Sequence, residues 1–434
     1  MGSAEASGDG RPGDRPPPIR SLLPSRGRLR SLRHPPFLGF WLSFCVTQLG
    51  FWMASVSLQW LTARIAHNAS LELGLLYFFN LIPLFLIAPW AGVVADRYRR
   101  AKVVAYSQAA ISVLCAVLAG YLAVSGGVVR LPLIYGFAFV LGTLLAIGAP
   151  SAQAIVAGAV PPADLASAVG LQSASLNVAR VVGPVLATPL LVVWGAAPVF
   201  AVYAATSLIA ATIIRRLRLA PQPLLKGGER TWRSIRQGLA HVRERPPALQ
   251  VLVMVAVTSM FGTTYVAQLP VFAYDVLGGG DTEFTLLVGA TGLGAVVGAL
   301  AASSGKTVPR VRQVAVQMVV TSVAVAAMAI TTSFVLLLAL AVLAAALNFS
   351  IMTRLNVILQ STVAEGSRGR VMSLYVVAWG GLVPVGALLL GFVAGILGLT
   401  GGLVVFALTL TAFGVAMLLR RRTSGAAFGT EQTR

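Results

Sequence analysis

Arg180 is the residue whose chemistry is easiest to name. It lies in LNVARVVGPVLA, from Leu176, near the middle of a long apolar segment. An arginine is a permanent cation whose planar fork of N–H donors suits carboxylate or phosphate. Holding one deep in an apolar segment costs from about 2.5 kcal/mol upward. Ser173, Asn177, Arg180, Pro184 and Thr188 recur at helical spacing and share one face. That face is expected to line a polar cavity. Within it, Arg180 serves either as a brace on carbonyls or as the partner of an anionic substrate group.

Further polar residues stand inside other apolar segments: Gln48, Asn80, Gln268 and Asn348. Phe261, Tyr265, Gln268, Phe272 and Asp275 read as one stripe of a helix that Pro270 interrupts. Aromatic rings mixed with hydrogen-bonding groups suit an amphipathic organic molecule. The substrate-cavity candidates are therefore Gln48, Asn80, Ser173, Asn177, Arg180, Tyr265, Gln268 and Asn348. No Asp, Glu or His falls in the middle of an apolar segment. Asp275, near a segment end, is the acid closest to a cavity and the candidate for proton coupling.

Catalytic chemistry finds no support. His34, His67 and His241 are scattered over tail and loops, and no metal-ligand spacing occurs, so neither an enzyme nor a metal site is expected. LAASSGKT, from Leu300, looks like a phosphate loop but has leucine where the first glycine is required.

The elements that must position these residues follow from composition. Hydrophobic residues make up 57% of the chain and charged residues 11%, with mean hydropathy +0.84. Soluble domains keep about a quarter of their residues charged. A membrane-spanning helix needs about 20 apolar residues. Such stretches are read near 37–63, 71–95, 103–124, 132–156, 165–194 and 196–215, then near 249–276, 283–304, 313–331, 334–358, 371–397 and 401–419. The expected fold is all-α, with twelve transmembrane helices in two sets of six.

The net charge of +20 concentrates before residue 37, between Arg215 and Arg245, at 97–102, 306–312 and 368–370, and after 419. Basic loops stay cytoplasmic, so both termini and the middle loop are expected on that side. The charge reports topology rather than nucleic-acid binding. Cys45 and Cys115 both fall inside expected spans, so no disulfide is expected.

GVVADRYRRAK, from Gly92, places Asp96, Arg97, Arg99, Arg100 and Lys102 between two apolar segments, as a short turn outside hydrocarbon must. With DRYRRAKVV from Asp96, LNVARVVGP from Leu176 and RGRVMSLY from Arg368, the chain resembles the major facilitator superfamily. The likeness is to the branch of enterobactin-exporter-like and macrolide-efflux-like proteins, and it covers essentially all of 37–420. A weak internal repetition agrees with it: VPPADLASAVGLQ from Val160 parallels VAEGSRGRVMSLY from Val363, and Gly183 parallels Gly386.

The resemblance implies alternating access, proton-driven antiport and efflux of a siderophore, antibiotic or similar metabolite. It makes Gly92, Asp96, Arg97, Arg99, Arg100 and Lys102 a conformational switch, with Asp96 against the positive N-terminal end of the eleventh helix. It makes Gly183–Pro184 the start of the fifth-helix hinge of exporters, although Ala187 and Thr188 stand where further glycines usually follow. No cofactor is expected beyond a proton gradient as energy source. The expected partners are a small-molecule substrate and membrane lipids, with no nucleic acid, for a monomer in a bacterial inner membrane. The alternatives are an importer or a lipid or lysolipid transporter of the same fold, or a receptor without transport.

The expected organisation is a disordered basic tail at 1–36, six helices over 37–215, and a linker at 216–248. Six helices over 249–420 and a tail at 421–434 follow. The linker is expected to hold an amphipathic helix around Trp232, Ile235, Leu239 and Val242. No cleavable signal peptide is expected.

Overall fold

The computed structural model describes residues 30–217, 242, 246–303, 308–363 and 365–419 of the 434. The linker helix and most of both tails lie outside the described residues, apart from Val242, which is buried. Among the described residues the regular structure is helical, without strands.

The first helices are α1 (Pro35–Ile65), α2 (Ala69–Arg97), α3 (Arg100–Val124), α4 (Leu131–Ala159), α5 (Leu165–Trp194) and α6 (Ala197–Arg216). There follow α7 (Pro246–Val257), α8 (Asp281–Ser303), α9 (Val311–Ile330) and α10 (Phe334–Thr362). The last stretch, Glu365–Leu419, bends at Gly398, whose φ of 76° and ψ of 165° are open to glycine only. The part at 365–397 is α11 and the part at 399–419 is α12. By length and composition, eleven helical stretches of the described chain can cross a membrane, the last of them bent at Gly398.

Caps explain several boundaries. Asn68 opens α2 by accepting the Leu71 N–H at 3.2 Å, and Ser333 does the same for Leu336 at α10. Residues 30–36, expected as part of a disordered tail, are ordered. Arg30–Arg33 form a turn of 3₁₀-helix, and His34 Nε2 lies 2.9 Å from Asp164 Oδ2, tying the chain to the start of α5.

The seventh span departs from the expected single helix. After α7 come a π turn (Thr258–Gly262), a 3₁₀ stretch (Thr264–Gln268), one α turn (Leu269–Val271) and a second π turn (Phe272–Val276). Pro270 has no N–H to bond backwards and crowds the carbonyl four residues earlier. The stripe of Phe261, Tyr265, Gln268, Phe272 and Asp275 is therefore not one helix face. Phe261 packs on Phe406 at 5.0 Å between ring centroids, Tyr265, Gln268 and Phe272 are buried, and Asp275 is exposed.

Helix α2 packs on α4, α3 on α6, and α1 on α5 and α6. Helix α8 packs on α10, and α9 on α10 and on the 365–419 stretch. The two groups meet where α2 runs along the 365–419 stretch and α5 along α8. Large apolar side chains such as Val117 and Val335 point outward, as hydrocarbon solvent permits. The attraction between helices must then come from close packing. Gly294 and Gly298 of α8 show it, lying directly against the Val342 and Ala346 carbonyls of α10.

Candidate substrate site

Arg180 sits midway along α5 with its guanidinium between two aromatic rings. Its Cζ is 4.9 Å from the Trp52 ring centroid on α1 and 4.6 Å from the Phe349 centroid on α10. Nε and Nη1 are buried without a hydrogen-bond partner. Tyr77 of α2 lies within electrostatic reach. The rings cover the faces of the cation, each contact worth about 0.5–2 kcal/mol. They cannot satisfy N–H donors that point outward in the guanidinium plane. A carboxylate or similar oxyanion arriving edge-on would do so.

The backbone explains the placement. One turn past Arg180, Gly183 faces α1, and a Cβ there would stand 2.6 Å from Trp52 Cβ. The missing side chain lets α5 and α1 close until the indole reaches the guanidinium. Pro184 lacks the N–H that would bond the Arg180 carbonyl. That carbonyl faces Gly292 of α8, where a Cβ would stand 3.1 Å away. Gly183 and Pro184, the expected hinge, are buried beside the arginine.

The other cavity candidates divide. Gln48 stands one turn before Trp52 and lines a cavity of about 260 Å³ with Thr47, Gln108, Gln153 and Gln172. Asn177 donates to the Ser173 carbonyl of its own helix at 2.9 Å, and Ser173 is exposed. Asn80 joins helices, Nδ2 donating to the Ala138 carbonyl at 3.4 Å. Asn348, next to Phe349, accepts from Thr263 Oγ1 at 3.2 Å. Tyr265 is buried in the packing. Gln268 Nε2 donates to the Ser70 carbonyl at 3.1 Å.

That last bond ties the seventh span to α2, next to a close contact between α2 and α11. A Cβ on Gly391 would stand 2.5 Å from the Ser70 carbonyl, and one on Gly395 would stand 2.8 Å from Asn68 Nδ2. Nearby, Arg64 Nη1 lies 4.0 Å from Asp281 Oδ2, and Tyr274 donates to Asp281 at 2.8 Å. These contacts join residues 64–70 to Gln268, to Asp281 and through it Tyr274, and to Gly391 and Gly395.

Helix α2 ends at Arg97 with the Tyr98 N–H on the Val94 carbonyl at 3.0 Å, and Arg99 stands at the N-cap position of α3 without a side-chain capping bond. Arg97, Arg99 and Lys102 are exposed, and Arg100 is half-buried. The contact expected between Asp96 and the start of α11 lies outside the described residues' side chains. Asp275 sits exposed in the second π turn, without a place in the Arg180 site.

Sequence reasoning missed Trp52, Phe349 and Tyr77. The one available signal was that Trp52 follows Gln48 by a turn and Phe349 adjoins Asn348. It also missed Glu72 of α2, whose carboxylate accepts the Tyr135 hydroxyl. Arg354 of α10 went unnoticed too; its Nε donates to Ser350 Oγ at 3.3 Å.

A family model described as transmembrane secretion effector matches residues 27–429. A staphyloferrin A transporter of Staphylococcus aureus (strain NCTC 8325 / PS 47) is 22% identical over 361 residues, covering 83% of this chain and 90% of that protein. Among solved structures, a bacterial homolog of the human lysosomal transporter Spinster, inward-facing and occupied, superposes with TM-score 0.72 at 14% identity. It covers 90% of this chain and 96% of that one. The nucleoside transporter NupG superposes with TM-score 0.68 at 14% identity over 89% of this chain and 99% of that one.

Proposed function

Since the chain belongs to the transmembrane secretion effector family of the major facilitator superfamily, we propose that it exports a small anionic organic molecule by alternating access. The observation that carries this reading is the Arg180 guanidinium, clamped by Trp52 and Phe349 with buried N–H donors left over. A permanent cation with unmet donors inside an apolar bundle calls for an anion.

The cargo is a siderophore, antibiotic or similar metabolite bearing at least one carboxylate or comparable oxyanion. The relative named as a staphyloferrin A transporter supports a siderophore among these cargoes. Export is supported by Gly183–Pro184 beside the binding cation. Helices α1–α6 and α7–α12 act as two six-helix bundles with both termini cytoplasmic, supported by the basic residues around 97–102 and at the end of α6. On that topology the closure around Ser70, Gln268 and Gly391 is the external gate. The protein works as a monomer in a bacterial inner membrane, without cofactor, driven by the proton gradient with Asp275 as the coupling acid.

The test is accumulation of dyes, antibiotics and siderophores in cells lacking their own efflux systems. Each compound is measured with and without the protein, before and after collapse of the proton gradient. Lower accumulation of anionic compounds that vanishes on collapse supports the proposal. Unchanged accumulation across the panel, with the protein present in the membrane, opposes it.

A further inference from the structure

A second concavity lies away from Arg180, on the outside of the bundle. It is a groove of about 400 Å³ between the end of α2, the start of α3 and α4, lined by Val94, Tyr98, Lys102, Tyr106, Leu144 and Ile147. Lys102 and Tyr106 follow each other by one turn, and Val113 and Val117 continue the same exposed side of α3. That side faces hydrocarbon in a membrane-embedded chain. Tyr98 and Tyr106 are 58% and 66% exposed, the amphipathic rings expected at headgroup depth.

One end of the groove is apolar, from Leu144 and Ile147. Of the basic residues of the turn, Lys102 lines the groove, while Arg97 and Arg99, exposed, and Arg100, half-buried, stand beside it along the chain. None of these four forms an ion pair with another described residue. An apolar slot that opens toward hydrocarbon, with Lys102 at its edge and exposed Arg97 and Arg99 next to it along the chain, is complementary to a molecule with an acyl chain and an anionic headgroup. We infer that this groove binds an anionic phospholipid, with an acyl chain along Val94, Leu144 and Ile147 and the phosphate on Lys102 and the neighbouring arginines. The lipid would bridge α2 and α3 across their short turn. This site is independent of the cargo bound at Arg180.

The experiment uses the purified full-length protein and native mass spectrometry, with dioleoyl phosphatidylglycerol, dioleoyl phosphatidylcholine and glycerol phosphate as separate probes. The wild type should retain phosphatidylglycerol in preference to phosphatidylcholine. Lys102→Gln with Arg99→Gln should weaken that retention, about fivefold for each charge removed. Ile147→Trp fills the groove and leaves the cations in place; it should lose one bound lipid. Leu144→Phe serves if the tryptophan variant does not elute as a folded monomer. Equal retention of phosphatidylcholine would overturn the inference. So would undiminished phosphatidylglycerol in the groove-filling variants, which would leave only a diffuse surface attraction. Glycerol phosphate displacing the lipid at equal concentration would also overturn it, pointing to a soluble-anion site.

Discussion

Arg180 and Trp52 face each other across α5 and α1 with 4.9 Å between guanidinium carbon and indole centroid, and Gly183 makes room for that approach. Phe349 closes the other side from α10. One cation thus touches rings from widely separated parts of the chain. A ligand that binds its free donors senses both at once.

Replacing Arg180 by Ala should lower transport of anionic compounds by about tenfold to a hundredfold, the worth of a charge-assisted hydrogen bond. Cationic compounds of similar size should be affected far less. Initial rates in everted vesicles, taken for matched anionic and cationic substrates, decide the matter. Equal losses would reduce Arg180 to a structural brace.

Gly183→Ala places a methyl group against Trp52 Cβ, where a Cβ has only 2.6 Å. Overpacking of this kind costs about 1–3 kcal/mol. We expect a lower melting temperature in detergent and weaker handling of anions, because α1 moves and carries Trp52 away from Arg180. A variant with wild-type melting and transport would show that the helices separate there without consequence.

Asn68→Cys combined with Gly395→Cys, after Cys45 and Cys115 are replaced by Ser and Ala, should form a disulfide on mild oxidation. A Cβ on Gly395 would stand 3.6 Å from Asn68 Cγ, which occupies the place of a cysteine sulfur, so a small shift brings two thiols within bonding reach. Oxidation should arrest transport and reduction should restore it. Continued transport by the fully cross-linked protein would remove this contact from the gate.

Asp96→Asn should leave membrane insertion intact and lower transport by weakening the contact proposed with the start of α11. Quantified membrane protein and vesicle transport rates test it together. Wild-type rates at equal protein would sink the latch.

Asp275→Asn should abolish proton-driven export while preserving exchange of labelled for unlabelled substrate across the membrane. Retained proton-driven export would transfer the coupling role to another acid, with Glu72 the next to replace.

Helices and the embedded cation could be read from the sequence because each leaves a mark in composition. Runs of about 20 apolar residues announce spans, and Arg180 stands out where charge is expensive. The rings around it were not legible. Trp52 and Phe349 are apolar residues on apolar helices, and nothing local says which face meets which neighbour. Pro270 warned of a break in the seventh span, but not of the π turn at Thr258–Gly262. A π turn adds a residue to the helical ladder through packing and carries no compositional mark. His34 looked like part of a polar tail because its partner, Asp164, stands 130 residues away. Asn80 and Gln268 looked like ligand contacts, yet their amides bridge helices; polar groups inside lipid serve either purpose with the same residue types.

The lone cation of the clamp also has an electrical meaning. If Arg180 holds the cargo as proposed, the empty site carries a net positive charge within the membrane field, and a bound monoanion makes it neutral. A full crossing of that field is worth about 2.3 kcal/mol per elementary charge at 100 mV, so a partial displacement still biases the step that moves the charge. In an exporter, an inside-negative potential would then draw the empty carrier back toward the cytoplasm and leave the loaded, outward stroke nearly indifferent to voltage. Clamping the potential in vesicles should therefore alter the resetting half-cycle and spare substrate exchange. The reverse pattern would show that the charge does not move with the site.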